Sequence, residues 1–190
     1  MQNQALHRLT LAAMFAALDY ILALFQFRIP SPIGHPFVDL GFNFVAIGVI
    51  FLGYKYGLLS GAIGLLVFDL LNGYANHAYL TVMEVILLTS GTYLVWSLLR
   101  KSVTPSAIIV LGITSGLLKM GTGYLRYLIE GLVDAGLPLP KAAITALAAF
   151  PADVATGVAM FFIVPLFFIV LNKVSQQIHW NWYRQYQWSP

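Results

Sequence analysis

The chain has 190 residues, of which 59% are hydrophobic and only 9% are charged, and its mean hydropathy is +0.81. Soluble domains carry about 25% charged residues, so this composition excludes a soluble fold and indicates an integral membrane protein. The lack of cysteine excludes disulfides, thiolate metal sites and cysteine nucleophiles. The net charge is +3, and the basic residues are scattered at helix ends, which does not indicate nucleic-acid binding.

Apolar runs predict the helices. With about 20 residues per crossing, the length allows roughly six spans. The runs show no strict alternation of apolar and polar residues, so membrane-spanning strands are not expected. The prediction is an all-α bundle of six transmembrane helices in one membrane domain, residues 1–190. The spans lie near residues 6–25, 38–52, 57–71, 78–99, 106–132 and 142–171, and an aromatic interfacial tail covers residues 175–190.

Lysine and arginine placement predicts the orientation. With the N-terminus inside, Arg28 and Lys141 fall on the outer side. The cytoplasmic side then holds Arg8, Lys55, Arg100, Lys101, Lys173 and Arg184. The positive-inside rule therefore predicts that both termini are cytoplasmic. The outer connections, at 26–37, 73–77 and 131–141, are rich in proline, glycine or aromatic residues, which suits loops that close over a ligand.

Span one carries two overlapping pairs of alanines spaced four residues apart. They are Ala12 with Ala16, and Ala13 with Ala17. Alanines at i and i+4 share one helix face and let another helix approach closely. The pattern alone favours internal helix packing as the interpretation.

The order of short motifs resembles a known family. Residues 9–18 read LTLAAMFAAL and precede a proline-rich loop, and residues 52–64 read LGYKYGLLSGAIG. Together with the six-helix plan, these motifs resemble the substrate-binding S components of energy-coupling factor (ECF) vitamin transporters. The resemblance covers the whole chain. It implies a bacterial plasma-membrane protein that captures a small water-soluble vitamin, has no cofactor and is not an enzyme.

The resemblance also implies protein partners. In that family the alanine face of helix one docks on the transmembrane coupling subunit, which assigns docking to Ala12, Ala13, Ala16 and Ala17. Two ATPase subunits then drive release of the ligand to the inside. The chain has no Gly-x-x-x-x-Gly-Lys-Ser/Thr loop of its own, so ATP hydrolysis is expected in these partners.

Polar side chains within the apolar spans are the candidates for the ligand site. A charged group at mid-bilayer costs roughly 2.5–3.5 kcal/mol, so each should pair, line a cavity or serve function. Rings beside the connection at 73–77 can stack on a flat heteroaromatic ligand, and His77 offers a hydrogen-bond donor and acceptor. The predicted substrate-binding residues are Asn72, Tyr74, His77, Tyr79, Glu84, Lys119, Arg126, Tyr127 and Asp153.

Alternatives remain open for these residues and for the ligand. Arg126 and Glu130 are four residues apart and can pair with each other. Lys119 can form an ion pair with Asp153 between spans five and six instead of binding a ligand. The mixture of charges favours hydroxymethylpyrimidine or a pyridoxine-like vitamin, with pantothenate or another B vitamin as the alternative.

Two other classes of function are weighed. An intramembrane enzyme is disfavoured, because the sequence has no His-Glu-x-x-His motif, no Gly-x-Ser-x-Gly motif and no clustered carboxylates for a catalytic metal. A stand-alone carrier is disfavoured, because the two halves show no obvious inverted repeat. No metal site is predicted.

Overall fold

The structure, a computed structural model, describes residues 2–28 and 36–177. It contains five long helices, a single 3-10 turn and one pair of two-residue strands. These are α1 (Gln2–Ala23), β1 (Phe27–Arg28), β2 (Phe37–Val38), α2 (Gly41–Leu71), the 3-10 turn (Ala75–His77), α3 (Ala78–Leu98), α4 (Pro105–Val133) and α5 (Leu139–Gln177). All five helices are long and apolar enough to cross a membrane.

The all-α membrane fold is therefore confirmed, but the predicted count of six helices is not. In the predicted tail, residues 175–177 continue α5, and residues 178–190 lie outside the described part of the chain. α5 also continues through Pro151 and Pro165, which both lie inside the helix. Its 39 residues correspond to a length of about 58 Å.

The difference in helix count arises within α2, which covers both predicted spans two and three. Gly53 inside this helix has φ 78° and ψ 177°, a conformation open essentially to glycine alone. Gly57 lies against Val49 and Gly61 against Val45. Each pair is equidistant from Gly53 along the chain, so the backbone reverses there and the two parts of α2 lie side by side, antiparallel.

We call residues 41–52 the first arm of α2 and residues 54–71 its second arm. Every residue of the first arm is buried, as expected for a helix that is apolar on all sides. α1, α3 and α5 all pack against α2. Phe44 of the first arm meets Phe15 of α1 with ring centroids 6.3 Å apart and Phe167 of α5 at 4.9 Å. The first arm is thus the centre of the bundle.

Small residues bring the helices into backbone contact. Gly64 of the second arm lies against the Ala16 carbonyl of α1. Gly116 of α4 lies against the Gly157 carbonyl of α5, and Gly112 contacts Pro165. A side chain at either α4 position would push the two helices apart, so these glycines allow the close α4–α5 contact.

The turn at Gly53 should be sensitive to any side chain. We expect Gly53→Ala to destabilise the protein by about 1–3 kcal/mol, because an L-residue is strained at this φ and ψ. The measurement is the melting temperature in detergent, followed by intrinsic fluorescence. Gly121→Ala is the matched control, since Gly121 lies within α4 with open space around it and alanine there favours the helix by up to about 1 kcal/mol. Equal melting temperatures for both variants would contradict the turn geometry.

Candidate functional site

The connection between α2 and α3 meets β2 and the last turns of α4 at one end of the bundle. The meeting point encloses a cavity of about 220 Å³, which we call the hairpin cavity. Its walls are Phe37, Gly73, Tyr74, Asn76, His77, Arg126, Tyr127 and Glu130. Gly73, with φ 88°, turns the chain between α2 and the 3-10 turn that carries Asn76 and His77. The opposite end of the bundle carries the Gly53 turn and the α3–α4 connection.

One wall of the hairpin cavity is aromatic. The Tyr74 ring stacks on Phe68 at 5.8 Å with an interplanar angle of 19°, and Phe37 lies 5.5 Å from Tyr74. The Tyr74 hydroxyl donates to Gln26 Oε1 at 3.1 Å. These contacts tie the connection between α1 and α2, which we call the first loop, to the α2–α3 connection. They also hold two rings beside the cavity in fixed positions.

The opposite wall is polar and joins the start of α3 to the end of α4. His77 Nδ1 lies 3.2 Å from Asp134 Oδ2, and His77 Nε2 lies 3.9 Å from Glu130 Oε1. The Tyr79 hydroxyl donates to Asp134 Oδ1 at 3.2 Å. Asp134 therefore accepts hydrogen bonds from His77 in the 3-10 turn and from Tyr79 in α3. We call this set of contacts the Asp134 latch.

Arg126 lines the cavity and also contacts a set of charges inside the bundle. Lys119 Nζ of α4 donates to Glu84 Oε1 of α3 at 2.6 Å and to Asp153 Oδ1 of α5 at 2.5 Å. Arg126 Nη1 lies 3.6 Å from Glu84 Oε2. We call Glu84, Lys119, Arg126 and Asp153 the buried ion network. It joins three helices and balances two cations with two carboxylates.

The network fits its surroundings closely. The Lys119 ammonium lies 4.5 Å from the centre of the Phe42 ring, a cation–π contact with the first arm of α2. The Thr122 hydroxyl donates to Glu84 Oε1 at 3.3 Å. The Asp153 carboxylate lies directly against Gly123, where a side chain would collide with it. Glu84 Oε2, Asp153 Oδ2 and Arg126 Nε are buried without a hydrogen-bond partner, so the network keeps unused acceptors and one unused donor.

A further carboxyl group, Asp39, lies in the connection between β2 and α2. Its backbone N–H donates to Thr156 Oγ1 of α5 at 3.0 Å, and its Oδ1 accepts from the Gly41 N–H at 2.8 Å. Burial raises the pKa of the Asp39 carboxyl to about 7, while Lys119 and the Gly41 N–H oppose that rise. Asp39 thus anchors the first loop on α5.

The structure divides the predicted substrate-binding residues into three groups. Four of them line the hairpin cavity: Tyr74, His77, Arg126 and Tyr127. Three more lie beneath it in the buried ion network: Glu84, Lys119 and Asp153. Two lie outside it: Asn72, whose amide donates to the Phe68 carbonyl at 2.9 Å, and Tyr79, whose ring is half exposed.

Two pairings considered from the sequence have different outcomes. The Lys119–Asp153 ion pair forms, with Glu84 as a third member. Arg126 does not pair with Glu130 as considered, because Arg126 turns towards Glu84 and Glu130 faces His77. The sequence reasoning missed Phe37, Asn76, Glu130 and Asp134 as site residues. The one available signal was Glu130, which shares a face of α4 with Arg126.

A second candidate surface lies on α1. The alanine groove, an apolar groove of about 370 Å³, runs between α1 and the second arm of α2. It is lined by Leu9, Ala12, Ala13, Ala16, Ala17, Tyr20, Leu59, Ser60, Ile63, Gly64 and Val67. Ala12 and Ala16 are buried against the second arm, whereas Ala13 and Ala17 are exposed on the groove wall.

Among the described residues, no group of His, Asp and Glu side chains could hold a metal ion. The site is therefore described by its rings, charges and hydrogen bonds alone.

The family described as "ECF-type riboflavin transporter, S component" matches residues 3–173, about nine-tenths of the chain. No curated protein and no solved structure gives a match. The family match agrees with the five apolar helices. The chain therefore belongs to the ECF-type riboflavin transporter S component family, as a multi-pass membrane subunit of a transporter and not an enzyme.

Proposed function

We propose that the chain captures a small single-ring vitamin or vitamin precursor in the hairpin cavity, with hydroxymethylpyrimidine or a pyridoxine-like compound favoured. The observation that carries this proposal is a cavity with an aromatic wall at Phe37 and Tyr74 and a polar wall at His77, Arg126 and Glu130. Rings can stack on a heteroaromatic ligand while polar groups on the facing wall orient it.

The size of the cavity supports a small ligand. Its volume of about 220 Å³ lies below the roughly 300–1,000 Å³ that drug-sized ligands occupy. A single substituted pyridine or pyrimidine suits this space better than riboflavin, which has three fused rings and a ribityl chain. Riboflavin is the second candidate because the family description names it. Pantothenate is the third.

We further propose that the hairpin cavity faces the outside of a bacterial plasma membrane, with both termini inside. The supporting observation is that Lys55, Arg100 and Lys101 lie at the Gly53 end of the bundle, opposite the cavity. In this arrangement the two arms of α2 make two of six crossings. The short first arm is shielded from lipid because all its residues are buried.

The alanine groove is the proposed docking surface for the transmembrane coupling subunit, through which two ATPase subunits would drive ligand release. An apolar groove lined by small side chains admits another helix to close distance. Ala13 and Ala17 are available to such a helix because they are exposed. Ala12 and Ala16 form the floor between α1 and the second arm.

Binding and uptake, measured separately, test the proposal. The full chain, purified alone, is titrated with hydroxymethylpyrimidine, pyridoxine, pantothenate, riboflavin and thiamine, with tryptophan fluorescence or calorimetry as the readout. We expect tight binding of a single-ring compound, and uptake into vesicles only when the coupling subunit and ATPases are present. Turnover or transport by the isolated chain would reject the proposal in favour of an enzyme or a stand-alone carrier.

The Asp134 latch should govern how long a ligand stays in the cavity. We expect Asp134→Ala to raise the dissociation rate of the tightest-binding compound about five- to tenfold, because it removes the acceptor shared by His77 and Tyr79. Stopped-flow fluorescence measures the rate. Lys141→Ala removes an exposed charge from the same end of the bundle and serves as the control. An unchanged rate for Asp134→Ala would show that the latch does not hold the cavity closed.

A further inference from the structure

We infer that the ligand of the hairpin cavity carries no net negative charge and is rich in hydrogen-bond donors. This inference rests on the proposed function and narrows it, because it removes pantothenate and every other carboxylate vitamin from the candidates. It follows from the charges around the cavity and from the hydrogen-bonding groups on its wall.

Both cations of the buried ion network already have partners. Lys119, whose residue is only 3% exposed, donates to Glu84 and to Asp153 and does not line the cavity. Arg126 does line the cavity, but its guanidinium faces Glu84. Glu84 is fully buried, and only Arg126 and Lys119 compensate its negative charge through ion pairs. A ligand carboxylate at Arg126 would therefore compete with a carboxylate that cannot move into water.

The remaining charges near the cavity are predominantly negative. Glu130 lines the cavity, and Asp134 lies behind His77. A histidine carries at most one positive charge, so His77 can offset at most one of these two carboxylates. Among the described residues between α1 and α2, Arg28 is the one lysine or arginine, and it is exposed and donates to Gln26. Residues 29–35 contain no Asp, Glu, Lys or Arg.

The carboxylate on the cavity wall points the same way. Glu130 lines the cavity, and an ionised carboxylate accepts hydrogen bonds but donates none. A ligand with N–H or O–H groups therefore matches this wall better than one that only accepts. An aminopyrimidine or a hydroxylated pyridine has such groups, whereas an ionised carboxylate has none.

Matched pairs of compounds test the inference on the full chain in detergent at neutral pH. The pairs are pyridoxine with 4-pyridoxate, nicotinamide with nicotinate, pantothenol with pantothenate, and riboflavin with riboflavin 5′-phosphate. In any pair that binds, calorimetry should give the uncharged member an affinity at least tenfold higher. A charged member that binds equally well or better overturns the inference and leaves the proposed function standing. No binding by any of these compounds or by hydroxymethylpyrimidine and thiamine rejects the proposed function and the inference with it.

A variant separates charge from shape. Glu130→Gln should raise the affinity for the charged member of the pair at least fivefold and leave the uncharged member within twofold. Glu130→Asp, which keeps the charge at the cavity wall, should retain the original preference. If both variants change both members equally, the preference does not depend on charge and the inference is wrong.

Discussion

Lys119→Met should lower the stability of the protein more than any other single change at the site, by about 3–5 kcal/mol. The substitution keeps most of the side-chain volume but leaves Glu84 and Asp153 as buried carboxylates without their shared cation. Uncompensated buried charges are among the most costly defects in a folded protein. The expected fall in melting temperature in detergent is on the order of 10 °C.

A double variant provides the control. Lys119→Met combined with Asp153→Asn removes one cation and one carboxylate, and Glu84 keeps Arg126 at 3.6 Å. We expect this variant to recover at least half of the lost stability. If Lys119→Met instead melts normally but no longer binds the ligand, Lys119 contacts the ligand directly and its structural role is refuted.

Ala13→Trp and Ala17→Trp should each reduce vitamin uptake at least tenfold and leave ligand affinity within twofold. Both alanines are exposed in the alanine groove and neither lines the hairpin cavity, so a bulky ring there blocks an approaching helix without entering the ligand site. Uptake is measured in cells or vesicles with the complete transporter, and affinity is measured on the isolated chain.

Met14→Trp is the matched control, because Met14 is exposed on α1 but does not line the groove. It should leave both uptake and affinity unchanged. Ala12 and Ala16 are less suitable test positions, since both are buried and bulk there would also disturb the contact between α1 and α2. A parallel loss of affinity in Ala13→Trp would show that the groove belongs to internal helix packing.

Composition and apolar runs predicted most of the architecture. The low charge content and long apolar runs were sufficient for an all-α membrane protein, and the glycines at 57, 61 and 64 lie at close helix contacts. The sequence placed a turn near Gly53 but could not supply its backbone angles. Glycine permits many conformations, so only the neighbouring contacts decide which one it adopts.

The candidate site was predicted only in part, because side chains choose partners in three dimensions. The free-energy cost of placing a charged side chain inside the bilayer correctly indicated that Glu84, Lys119 and Asp153 needed partners or a function. The four-residue spacing on α4 suggested an ion pair between Arg126 and Glu130, but the partner of Arg126 is Glu84 on a neighbouring helix. Helical spacing reveals neighbours on one helix and says little about facing side chains.

The missed residues have a similar explanation. Phe37 lies in β2, and Asp134 follows the last turn of α4. Both fall in connections that the sequence predicts to close over a ligand, but no pattern within those connections singles out either residue. Both reach the site because the first loop and the α4–α5 connection converge with the α2–α3 connection at one end of the bundle.

The buried first arm of α2 also affects how the protein adapts to its bilayer. Its 12 residues are about 18 Å long, well short of a hydrocarbon layer of about 30 Å. Because protein surrounds it on every side, no lipid chain has to stretch or compress to match that length. Adaptation to membrane thickness therefore falls on α1, the second arm of α2, α3, α4 and α5, and a host can change its lipid composition without changing the environment of the bundle's centre.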